Sequence, residues 1–109
     1  MDLRKFPRFP VQFRSSFTSV HIVGGEGTLL DLSIRGCRVD SETKVQPGTN
    51  LELRIHVPDH EPPIKVELAS VRWARGREFG LEFTSMDTDQ RERLRQVVRD
   101  LEMKLVASD

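Results

Sequence analysis

From residue 50 onward the chain alternates. Leu51, Leu53, Ile55 and Val57 are separated by Glu52, Arg54 and His56, the period-two pattern of a strand with one buried and one solvated face. Phe79, Leu81 and Phe83 repeat it. Between these runs Ile64, Val66 and Leu68 set one parity, whereas Val71 and Trp73 take the other. That slip at Ala69 and Ser70 is the mark of a β-bulge, which bends a long strand. Turn chemistry separates the runs at Gly24-Gly25, Pro47-Gly48, Pro58-Asp59, Pro62-Pro63 and Arg75-Gly76. The pattern predicts strands over 10–22, 27–34, 36–40, 50–57, 63–74 and 77–84. The period then changes: Leu94, Val97, Val98, Leu101 and Leu105 recur at helical spacing, with Arg91, Arg95, Arg99 and Glu102 on the other face. Asp87 followed by Gln90 reads as an N-cap pair and Asp89 adds favourable charge, so a helix is predicted over 88–106. The fold class expected is all-β dominated: a six-stranded antiparallel β-barrel with a C-terminal α-helix packed across it.

Composition narrows the function. A chain of 109 residues makes one domain, burying about 65% of its unfolded surface. Acidic and basic residues balance at 17 each. A nucleic-acid grip rests on basic excess and aromatic platforms, so no DNA or RNA partner is expected. No run has the apolar length of a membrane span and no charged-then-apolar leader opens the chain, so no membrane insertion is expected. The single cysteine, Cys37, has no internal disulfide partner, which favours a cytoplasmic setting; its alternation with Val39 makes it a small core residue. His21, His56 and His60 stand apart, without Cys or carboxylate at ligand spacing, so no metal is expected. Ser33 is not in a glycine-flanked strand-to-helix elbow and has weak support as a nucleophile. The chain reads as a binder and not as an enzyme.

Two short stretches carry the remaining chemistry. In LRKFPRFPV, Leu3 to Val11, Arg4 and Arg8 stand at helical spacing, but Pro7 and Pro10 exclude a helix. Two guanidiniums therefore sit on a short extended arm. In DLSIRG, Asp31 to Gly36, Leu30, Leu32 and Ile34 share one parity and are expected in the core, which leaves Asp31, Ser33 and Arg35 outward. Gly36 marks either a close backbone approach or a positive φ. On its own this run is a polar strand face leading into a turn.

Together the two stretches spell R-x-x-x-R and, about twenty residues later, D-x-S-x-x-G. This resembles the PilZ domain, a bacterial receptor for the second messenger cyclic di-GMP. The stretch VRWARGREFGLEFTSMDTDQRERL, Val71 to Leu94, is similar to the family's closing strands and helix start, and no motif position departs from the pattern. The resemblance implies a stand-alone PilZ-like domain with an arm at 1–9, a barrel at 10–84 and a helix at 88–106, no enzymatic activity and no cofactor. It implies that Arg4 and Arg8 hold guanine edges and phosphates of cyclic di-GMP, and that Asp31, Ser33 and Gly36 line the barrel side of the site. Arg35, on the outward face, joins them as a further candidate.

Chemistry agrees with that assignment. Arginine's planar fork matches the guanine O6/N7 edge and suits phosphate, while a carboxylate accepts from guanine N1–H and N2–H. Ser33 could add one hydrogen bond, and a guanidinium can stack on a base. Pro7 and Pro10 would keep the arm extended and lower the entropy lost when it closes on ligand. Phe6 and Phe9 are expected to anchor the arm, and Trp73 to lie in the core. A self-stacked ligand pair would favour an extra cation just before Arg4, where Leu3 stands, so one ligand per chain is expected. The receptor would act by a changed surface or arm conformation on an unidentified effector protein, in motility, biofilm or exopolysaccharide control. The alternative is a ligand-independent adaptor for pilus or flagellar machinery, against which the arginine pair speaks.

Overall fold

The alternation at residues 51–57 becomes burial: Leu51, Leu53, Ile55 and Val57 all face the barrel interior. The structure, a computed structural model, describes residues 6–107, so Leu3 and Arg4 lie outside the described residues. The elements are β1 (Phe9–Thr18), β2 (Gly25–Leu32), β3 (Gly36–Asp40), β4 (Asn50–His56), β5 (Ile64–Arg75), β6 (Glu78–Ser85) and α1 (Thr88–Ala107). The six strands form a closed antiparallel barrel in the order β1-β2-β3-β6-β5-β4. Phe17 and Phe79 meet at its centre edge to face, ring centroids 5.5 Å apart at 81°. This is the fold class expected from the pattern.

Bulges set which residues reach the site. β5 slips register against β6 at Leu68/Ala69 and again between Val71 and Trp73. At the first slip the extra residue is on β6. Against β4, β5 has its own extra residue, where Leu51 faces Ala69 but Leu53 faces Val66, which leaves Leu68 exposed with Ala69 and Val71 buried. The second slip against β6 adds Arg72 as an extra step and turns Trp73 outward, 41% exposed, which corrects its expected place in the core. β2 slips against β3 between Leu29 and Asp31, because Leu30 is an extra residue. Leu29 and Leu32 are therefore the fully buried pair, and Leu30 and Ile34 are only half-buried. Leu30 thereby leaves its expected core place, whereas Leu32 inward and Asp31 and Arg35 outward are as expected.

The first strand ends at Thr18, short of the expected 22, because the Ser19 hydroxyl accepts from the His21 and Ile22 N–H groups at 3.2 and 3.1 Å and turns the chain. On α1, Leu94 and Val97 are buried against the barrel. Gln90 does not complete a box with Asp87. Its Oε1 accepts instead from the Lys65 backbone N–H at 2.8 Å and from Arg93 Nη1 at 3.2 Å, tying the helix to β5. Arg93 also donates to the carbonyls of Pro62 and Pro63. No helix among the described residues is long and apolar enough to cross a membrane.

Candidate ligand-binding site

The site begins at the turn after β2. Ser33 N–H donates to the Gly36 carbonyl at 2.9 Å. The Ser33 hydroxyl accepts from the N–H groups of Arg35 and Gly36, both at 3.1 Å, and donates to the Gly36 carbonyl at 3.3 Å. A hydroxyl has one donor and two acceptor positions, so the turn uses its full capacity. Ser33 is 2% exposed and lies inside the turn, which corrects the outward position expected for it. Gly36 needs close approach and not a positive φ: a Cβ there would stand 2.2 Å from the Leu81 carbonyl oxygen of β6. The next residue, Cys37, is fully buried; burial first, and the charge of Asp31 second, push its thiol up, away from the reactive thiolate.

Asp31, with its side chain 17% exposed, holds two arginines. Arg8 Nη1 donates to Asp31 Oδ1 at 2.9 Å, so a residue of the arm is already docked on the barrel motif. Arg38, directly across from Asp31 on β3, brings Nε to 3.3 Å from Oδ2, and its Nη1 donates to Glu78 Oε1 at 2.9 Å. The Nε is buried and not aligned to donate to the carboxylate.

Beside this cluster lies a depression of about 340 Å³ lined by Phe6, Arg8, Arg35, Arg72, Trp73 and Glu82. The Arg35 guanidinium lies 5.0 Å from the Phe6 ring centroid, within cation–π range, and 3.8 Å from Glu82. Arg72 donates to the same carboxylate from Nε at 2.5 Å. The Trp73 indole covers Gly80, where a Cβ would fall 2.1 Å from Nε1. An aromatic floor ringed by guanidiniums suits a planar anionic ligand.

The sequence matches the PilZ domain over residues 2–100. The chain belongs to the PilZ domain family. Three solved structures share the fold: Bacillus subtilis MotI/DgrA, an inhibitor of motility (20% identity, TM-score 0.72, 94% of this chain and 53% of that one); the PilZ domain of CeSA from a cellulose-synthesizing bacterium (18%, 0.68, 88% and 98%); and Escherichia coli YcgR in complex with c-di-GMP (14%, 0.75, 97% and 49%). The chain thus spans about half the length of MotI/DgrA and of YcgR. A search of curated proteins finds no match.

Within this PilZ barrel the structure brings Arg8 and Asp31 together, assigns Ser33 and Gly36 to the turn that carries them, and leaves Arg35 on the rim. Arg4 lies outside the described residues. Sequence reasoning missed Arg38, Arg72 and Trp73. Arg38 was accessible, since it alternates outward between the core residues Cys37 and Val39. Trp73 was not, because its facing depends on the second slip in β5. A larger depression, about 480 Å³, lies elsewhere on the barrel and includes Asp40, Glu42 and Arg77. Arg77 already contacts Asp40 at 3.0 Å and Glu42 at 3.5 Å, and no motif residue lines it.

Proposed function

We propose that the chain is a non-enzymatic, cytoplasmic receptor for cyclic di-GMP that regulates a separate effector protein through a ligand-dependent change of surface. The observation that carries this reading is the Arg8–Asp31 pair at 2.9 Å on the edge of an aromatic, arginine-ringed depression. The family match and the paired motifs support it, as does the YcgR structure, named for its complex with c-di-GMP.

Asp31 engages one arm of the Arg8 fork, through Nη1. A guanine edge or phosphate competes for that fork, and a guanine N1–H/N2–H edge competes for Asp31. Arg38 would keep the Asp31 carboxylate paired while Arg8 turns to the ligand, so the exchange leaves no uncompensated charge. Trp73 and Phe6 offer flat faces for a base, and Ser33 acts by holding the turn. The regulated process, motility, biofilm or exopolysaccharide output, belongs to the effector.

Calorimetric titration with cyclic di-GMP, beside GMP and cyclic di-AMP, tests the reading. Binding is expected for cyclic di-GMP, weakened roughly five- to 150-fold by Arg8→Ala, about 1–3 kcal/mol. Asp31→Ala should also narrow the preference for guanine over adenine. Absence of binding, or undiminished affinity in Arg8→Ala, overturns the receptor reading and favours the adaptor.

A further inference from the structure

We infer that the ligand site extends past Phe6 into a second anion subsite at the foot of α1, where Arg91 and Arg95, with Arg35, take a phosphate-bearing purine. This rests on the receptor reading above and adds residues that neither motif contains.

A second depression, also about 340 Å³, adjoins the first and shares Phe6 and Arg35 with it. Its apolar lining comes from Ile34, Phe83 and Met86, and its charge from Arg35, Arg91 and Arg95. Arg91 and Arg95 are four residues apart on α1, which places them one turn apart on the same face. Their present contacts are weak. Arg91 Nη2 donates to the Met86 carbonyl at 3.4 Å, and Arg95 Nη1 lies 3.7 Å from the exposed Glu92 carboxylate. Exposed pairs of this kind exchange readily for a better anion.

Charge distribution strengthens the case. The whole chain is neutral, 17 against 17. Yet the two depressions together are lined by five arginines (Arg8, Arg35, Arg72, Arg91, Arg95) and one carboxylate, Glu82. Each volume sits at the lower end of the range of about 300–1,000 Å³ for small-molecule sites. A ligand with two bases and two phosphates fits the pair better than either alone. Occupying both would bridge the β2–β3 turn and α1, so binding would reach the helix. The phosphate-bearing purine could be the second half of one cyclic di-GMP or part of a second molecule.

The test is calorimetry and native mass spectrometry with cyclic di-GMP on the wild type and on Arg91→Ala/Arg95→Ala, at low salt. Both side chains are exposed, so the variant is expected to melt like the wild type. Affinity should fall about tenfold or more, the scale of losing charged hydrogen bonds. Arg99→Ala, on the same helix and outside both depressions, should bind as the wild type. A weaker affinity at unchanged stoichiometry assigns the subsite to the second half of one ligand. Loss of one of two bound ligands assigns it to a second molecule. Wild-type affinity and stoichiometry in the double variant, with Arg8→Ala impaired, overturn this inference alone. A wild type that does not bind, or an unimpaired Arg8→Ala, overturns the receptor reading and this inference with it.

Discussion

At Gly36 the absence of a methyl group holds the site together. Its would-be Cβ meets a backbone carbonyl, Leu81 O, at 2.2 Å, and that oxygen belongs to the strand paired with β3, so neither side can yield cheaply. Gly36→Ala should destabilise the fold by about 1–3 kcal/mol, the usual cost of overpacking. Urea denaturation reads this directly, and an unshifted midpoint would mean that β3 and β6 can part without loss. Motif spacing named Arg8, Asp31 and Gly36 in the sequence, and the structure makes each of them part of one cluster. It misplaced Ser33, because β2 ends at Leu32 and a parity argument carries the strand on into a turn that folds the hydroxyl inward. A small hydroxyl can then sit buried at little cost, since the turn satisfies it.

Elements with a strong period were the most legible. The helix predicted over 88–106 is observed as Thr88–Ala107, and the slip near Ala69 is a real change of register in β5. The first strand was overrun because Val20 and Ile22 continue its alternation, although Val20 and Val23 are 93% and 95% exposed on the connecting loop. Alternation does not distinguish a strand from a loop whose apolar residues face water. The docking of α1 was only half legible: Leu94 and Val97 could be read as its inner face, but the Gln90 bond to Lys65 could not, because it joins residues 25 apart. Leu94 is 1% exposed, so Leu94→Ala should cost about 2–5 kcal/mol. Chemical denaturation measures that loss. A cost under about 1 kcal/mol would mean that α1 adds little to the barrel.

Across the whole molecule, the strand order β1-β2-β3-β6-β5-β4 closes through two seams, β1 with β4 and β3 with β6, that join distant parts of the chain. Loop closure at both seams must precede the contacts that reward it, which slows the search. Refolding followed by Trp73 fluorescence in stopped flow is expected in the range of milliseconds to seconds; a transition complete in microseconds would mean that local hairpins dominate. The binding cluster straddles the second seam: Arg38 stands on β3 between Asp31 of β2 and Glu78 of β6. Until β3 zips onto β6, the carboxylate, the turn and the indole are separate pieces of a coil. On the receptor reading proposed above, a half-made barrel would therefore be blind to nucleotide, and the signal would be received only by chains that had finished folding.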